Sequence, residues 1–225
     1  MGGQGRPCEN KRAGIICQKY AMIFLTDMNT IAKKILARAK RHGAGWVFSA
    51  KHLTDLGDRA AIDQALSRLA KDGRIRRLAR GLYDLPKIHP VLGPLSPNPD
   101  AVAAAAAEQA GHRLQISPAR AANVFGLSSQ VPAKAVYLTD GSSRRIKIGN
   151  QVVYLKHAGP RALLGAGTQA GAALQALRAV GKDHVNDGVV QQLRSTLPSD
   201  AKHGLRKLMR QAPQWTAPVI AAITA

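Results

Sequence analysis

The sequence predicts an α+β fold in two parts, an N-terminal module of three helices closed by a β-hairpin and a mixed C-terminal domain. Three observations predict it. From residue 30 onward, apolar residues recur at helical spacing in short blocks. An arginine-loaded strand–turn–strand pattern follows those blocks directly. A proline-dense stretch then separates them from a second segment, where β-branched runs are set among helical ones. At 225 residues the chain has room for one large domain or two small ones. Aromatic residues make up only 4%, so the cores must be built from Ala, Val, Leu and Ile.

The first block, 30–42, places Ile31, Ile35, Leu36 and Ala39 on one face and is closed by Gly43. Trp46, Val47 and Phe48 predict a short strand, and Ser49 caps a brief helix that ends at Gly57 with Leu53 and Leu56 turned inward. Asp58 caps a third helix running to about Asp72. Its Ile62, Leu66 and Leu69 fall at i, i+4 and i+7 and must face a core. The opposite side presents Ala60, Gln64, Ser67 and Lys71, with Arg68 on the flank and Arg59 in the first turn. After Gly73, Arg74 to Leu78 predicts a strand, Ala79-Arg80-Gly81 a turn, and Leu82 to Leu85 the return, with a bulge where the alternation fails. This order of elements is that of a winged helix-turn-helix spanning 28–85.

Pro86, Pro90, Pro94, Pro97 and Pro99 mark 86–99 as a semi-rigid linker. In 100–225, Asp100 is expected to cap an alanine-rich helix to about Ala110. Ser117 and Pro118 open another helix, with Val124 and Phe125 inward. Runs at 135–139, 144–148 and 152–156 predict an antiparallel meander, with Asp140 to Ser143 as its first turn. Leu174 and Leu177, then Val189, Val190 and Leu193, then Leu205 and Leu208 mark three helices, and 219–223 a last short one.

Residues 1–27 differ from the rest. They are read as a disordered arm or an over-extended reading frame, with Met28 the expected start. The apolar run 15–25 is interrupted by Gln18 and Lys19 and is too short to span a bilayer. No Ala-x-Ala cleavage pattern follows it. The two cysteines, Cys8 and Cys17, have no zinc-ligand spacing and suit a reducing cytoplasm.

The 33 Lys and Arg against 13 Asp and Glu give a formal charge of +20, which selects a polyanionic partner. The scarcity of aromatics disfavours a base-stacking platform for single strands. The ordered pattern narrows the partner to duplex DNA. Gln64, Ser67, Arg68, Lys71 and Arg59 suit a major groove, where Gln reads adenine and Arg guanine. Arg74, Arg76, Arg77 and Arg80 repel one another unless a phosphate backbone lies beside them.

No catalytic constellation emerges, and no enzyme or cofactor is expected. Asp140-Gly141-Ser142 lacks the clustered carboxylates that a nucleotidyltransferase needs for Mg²⁺; Arg144 and Arg145 follow instead. His157, His184 and His203 are dispersed, and the glutamates are Glu9 and Glu108 alone. Neither a phosphate-binding Walker loop nor a nucleophile elbow is present.

The stretch Gly73-Arg74-Ile75-Arg76-Arg77-Leu78, its continuation Arg80-Gly81-Leu82-Tyr83, and the segment Ile116 to Asn123 with its following strands resemble the AbiEi family. These are bacterial antitoxins of type IV, abortive-infection toxin–antitoxin systems. The likeness runs from Met28 to the C-terminal helices. It implies a cytoplasmic transcriptional autorepressor that binds inverted repeats in its own promoter through the N-terminal module. It further implies a C-terminal antitoxin domain that opposes a nucleotidyltransferase-type toxin without needing a stable complex. Arg59, Gln64, Ser67, Arg68 and Lys71 then fall on the recognition helix, and Arg74, Arg76, Arg77 and Arg80 on the wing. Arg144, Arg145 and Lys147 are the expected antitoxin surface. A plain winged-helix regulator with a ligand-sensing or dimerising second domain is the alternative.

Overall fold

The computed structural model describes residues 30–225. The expectations for residues 1–27, Cys8 and Cys17 among them, and for Met28 lie outside the described residues. The described chain is a mixed α+β structure.

The first helix, α1, is described over residues 30–42. It is followed by β1 (Val47–Ser49), a 3₁₀ turn (Ala50–Leu56), α2 (Arg59–Lys71), β2 (Arg76–Ala79) and β3 (Leu82–Asp84). The strands form a sheet in the order β1-β3-β2, with the expected bulge between Arg77 and Ala79. The helical stripes pack as their periodicity requires. Ile35, Ala39, Leu53, Ile62 and Leu66 are fully buried around Phe48, and Ile75, just before β2, and Tyr83 of β3 close the cluster. Each large side chain so buried contributes about 1.5–3 kcal/mol. His42, Trp46 and Phe48 stack in series along one edge of this core, at 4.1 and 4.5 Å between rings.

The segment expected to be a linker contains a small hairpin, β4 (Ile88–His89) paired with β5 (Gly93–Pro94), whose tip exposes Ile88, Val91 and Leu92. Next come α3 (Pro99–Ala110), β6 (Leu114–Ile116), α4 (Pro118–Val124), β7 (Ala135–Thr139), β8 (Arg144–Ile148) and β9 (Gln151–His157). Four helices complete the chain: α5 (Gln169–Val180), α6 (Asp187–Thr196), α7 (Ser199–Leu208) and α8 (Thr216–Thr224).

Several expectations are corrected. The helix α3 is capped by Asn98, whose Oδ1 accepts from the Asp100 N–H at 2.8 Å, with Pro99 in the first turn. Asp100 is thereby freed to face α4 and β7. Val124 is exposed, because Ala121, Ala122 and Phe125 define the buried stripe of α4. The C-terminal sheet is not an antiparallel meander. Its order is β6-β7-β9-β8, with β9 lying parallel to β7 and antiparallel to β8. Gly149-Asn150 makes a tight β8–β9 hairpin, whereas Asp140 to Ser143 crosses the end of β9 instead of closing a hairpin. Asp140 is held by the Arg113 N–H and guanidinium, both at 2.9 Å, and the Ser143 hydroxyl accepts from the His157 N–H at 2.8 Å.

The two parts are not separate bodies. Val47, Leu78 and Leu82 of the first sheet share one core with Val102 and Ala106 of α3, Ile146 and Ile148 of β8, and Val153 of β9. Polar contacts tie the same seam. The His52 Nδ1 accepts from the Ser49 N–H at 3.1 Å, which leaves Nε2 as the protonated nitrogen facing Glu108 Oε2 at 3.0 Å. Lys51 Nζ donates to the Glu108 carbonyl across the seam, while within the second part Arg144 Nη2 donates to the Ala106 carbonyl. The Pro-rich stretch, expected as a linker, carries the β4–β5 hairpin, and the β2–β3 hairpin before it has too much apolar surface to stand free in water.

A triad fixes the second half. Tyr137 Oη donates to Asp100 Oδ1 at 2.6 Å, and the Arg120 guanidinium grips both Asp100 oxygens while lying 5.7 Å from the Tyr137 ring centre. Partial burial pushes the Asp100 carboxyl upward, but the hydrogen bonds from Arg120 and Tyr137 outweigh it, so its pKa lies below the ordinary carboxylate value. A depressed folded pKa contributes stability above the unfolded value that disappears as pH falls through the folded one. Acidification below about pH 4 should therefore destabilise the wild type more steeply than Asp100→Asn, as read by urea midpoints between neutral and acidic pH.

Close backbone approach fixes α5. A Cβ at Gly171 would collide with the Gly165 carbonyl and come within 2.8 Å of Leu164 O. Gly171→Ala is expected to cost about 1–3 kcal/mol in urea denaturation through overpacking. Gly159→Ala, where a Cβ meets nothing within 4 Å, should leave the midpoint unchanged.

Candidate nucleic-acid interface

The local sequence dictates how α2 is presented. Ile62, Ala65, Leu66 and Leu69 lock one side of the helix into the core, so the other side must face outward. Gln64, Ser67, Arg68 and Lys71 form one exposed stripe at i, i+3, i+4 and i+7. Their side chains have no hydrogen-bond or ion-pair partner among the described residues. Arg59 is also exposed, but its Nε donates to Asp63 Oδ2 at 2.8 Å one turn on. Such a surface pair contributes only about 0.3–0.5 kcal/mol, so it yields readily to a phosphate.

The hairpin arginines divide. Arg74 lies in the connection from α2, Arg77 on the edge strand β2 and Arg80 at the turn; all three are exposed and unpaired among the described residues. Strand alternation puts Arg77 on the same side of the sheet as Tyr83, which packs into the α1–α2 core. Arg77 and Arg74 are thus exposed at the end of the hairpin that follows α2 in the chain. The turn is seated on α3, where Gln109 Nε2 donates to the Arg80 carbonyl at 3.5 Å and the Arg80 side chain stays outside.

Arg76, expected with them on the wing, is drawn into an ion pair. It stands opposite Asp84, donating from Nε to Oδ1 at 3.0 Å and from Nη2 to Oδ2 at 2.6 Å; a further bond reaches the Leu95 carbonyl at 3.0 Å. Asp84 is fully buried, so Arg76 is the counter-charge that the fold requires there.

The expected second surface also divides. Arg145 and Lys147 face outward together, while Arg144, one residue out of phase, reaches the Ala106 carbonyl on the far side of the sheet. What sequence reasoning missed is that β9 brings Tyr154 and Lys156 beside Arg145. Period-two alternation along 151–157 carried that signal, but the strand order that joins them did not show.

Elsewhere the described residues hold no cluster of three or more His, Cys, Asp or Glu placed for a metal ion, and no helix long and apolar enough to cross a membrane. Arg38 forks onto Asp55 at 2.6 and 2.5 Å, and that hydrogen bonding holds the exposed Asp55 carboxyl down at about 2. This pair braces α1 against the 3₁₀ turn behind α2.

Fold and surface thus define a class: an α+β chain that displays a free, cationic helical face beside a basic hairpin. The chain belongs to the DUF6088 family, a family of unknown function whose model matches residues 31–205. It is also similar to a solved structure titled "Crystal structure of RV2827C protein from Mycobacterium tuberculosis", at 16% identity. That similarity covers 86% of this chain and 81% of the other, with a TM-score of 0.37. Comparison with curated proteins gives no match.

Proposed function

We propose that this protein binds duplex DNA sequence-specifically through residues 30–85, acting as a winged helix-turn-helix. The observation that carries the reading is the exposed stripe Gln64, Ser67, Arg68 and Lys71 on a helix whose other side is locked in the core. The element order α1, β1, 3₁₀ turn, α2, β2, β3 and the sheet order β1-β3-β2 support it. In this reading α2 enters the major groove and Arg74, Arg77 and Arg80 lie along phosphates. Purified protein should shift DNA from immediately upstream of its own coding region at moderate ionic strength, and should release it to excess specific competitor before scrambled competitor. Equal release to both competitors would refute sequence-specific recognition.

The resemblance to AbiEi antitoxins extends the proposal. The protein is then an autorepressor whose part beyond residue 100 counteracts a nucleotidyltransferase-type toxin. Co-expression with the product of an adjacent gene of that type should relieve growth arrest; persistent arrest would remove the antitoxin half of the reading while leaving DNA binding intact. The alternative, a regulator whose second half senses a small ligand, is favoured by the open groove over β8 and β9.

A further inference from the structure

The geometry points to a second ligand site, on the open half of the C-terminal sheet, that takes a nucleoside di- or triphosphate. Strand register builds it. Arg145 lies opposite Tyr154, and Val136 lies beside Tyr154 on its other flank. Alternation sends Ile146, Ile148, Val153 and Leu155 into the core and leaves Arg145, Lys147, Tyr154 and Lys156 on the outer face. A groove of about 460 Å³ lies over that face, with Lys134 at its rim. Its size is that of a small-molecule site.

Two features select the ligand. The first is that Tyr154 is the one aromatic ring lining the groove. A strand needs a row of rings to stack successive bases, whereas a single ring beside Val136 offers a platform for one base. The second is charge. Lys134, Arg144, Arg145 and Lys156 line the groove, the Arg144 guanidinium being tied to the Ala106 carbonyl, Lys147 stands one register step away, and no carboxylate lines it. The nearby Asp140 is already engaged by Arg113. Several cations around one ring call for a compact ligand with one base and several negative charges, and the Arg145 fork suits phosphate oxygens. The site does not depend on the DNA-binding reading, because none of its residues lies on α2 or the β2–β3 hairpin.

Isothermal titration of the full chain with ATP, ADP, AMP and pyrophosphate tests it. Affinity should fall in the order ATP, ADP, AMP. Pyrophosphate should bind about tenfold more weakly than ADP, because it lacks a base to stack. Tyr154→Ala should weaken ATP about tenfold while Tyr154→Phe retains it. Arg145→Gln and Lys156→Gln should weaken ATP and pyrophosphate alike, and thermal melts of these exposed-site variants should match wild type. Absent nucleotide binding, pyrophosphate as tight as ADP, or indifference to Tyr154→Ala would each overturn the assignment. So would an unpaired oligonucleotide that binds more tightly than ATP and is lost in Tyr154→Ala, since the occupant would then be a strand. Promoter-DNA shifts should be unchanged in all of these variants, so failure here is distinguishable from failure of the DNA-binding proposal.

Discussion

Arg76→Ala is expected to destabilise the protein by about 3–5 kcal/mol, because it strands a buried carboxylate without its counter-charge. Asp84 is fully buried, and its two oxygens are both satisfied by Arg76. For a chain of this size such a loss lowers the melting temperature by roughly 10 °C. Arg77→Ala, one residue along the same strand, removes an exposed and unpaired guanidinium and should shift stability by no more than about 0.5 kcal/mol. A double variant, Arg76→Met with Asp84→Leu, removes both polar partners and should recover most of the loss, leaving only the Leu95 carbonyl short of a donor. Urea denaturation of the four proteins checks the argument. Equal stabilities for Arg76→Ala and Arg77→Ala would show that the pair does not brace the hairpin.

The contrast between those neighbouring arginines also marks where the sequence stops being legible. The buried stripe of α2 is readable because Ile62, Leu66 and Leu69 repeat at a local helical period, and local periods need no knowledge of the partner. The hairpin and its bulge are readable for the same reason. The role of Arg76 is not, because Asp84 becomes its partner only once the hairpin register is set. Strand order is less local still. That β9 inserts beside β7 in parallel leaves no mark in either strand, so the meander and the grouping of Arg144 with Arg145 and Lys147 followed from adjacency in sequence alone. The shared core did leave a trace. Ile75 and Tyr83 face one side of the hairpin while Leu78 and Leu82 face the other, and a wing standing free in water has no use for two apolar faces. Asn98 was hidden by a shift of two residues, since Asp100 is an equally good cap by type and only Pro99 in the first turn decides between them.

The DNA-binding reading predicts two effects of different kind from two sets of substitutions. On that reading, Arg77→Ala with Arg80→Ala removes phosphate contacts. It should weaken specific and non-specific duplexes alike and reduce the slope of log affinity against log salt by about two units, close to one per lost contact. On the same reading, Gln64→Ala or Arg68→Ala removes a base contact. Each should cost about 1–3 kcal/mol on the operator, leave scrambled DNA nearly unaffected and relax preference at one position. The wing variants stand on firm ground because neither side chain takes part in folding contacts. Arg76→Ala does not share that property, so its loss of DNA binding would report unfolding. Fluorescence anisotropy across a salt series, on operator and scrambled duplexes, separates the cases. If the salt slope stayed the same in the wing pair, the hairpin would not lie on phosphates. If operator and scrambled DNA weakened equally in the α2 variants, that helix would touch only the backbone, and sequence recognition would have to be sought on another surface of the chain.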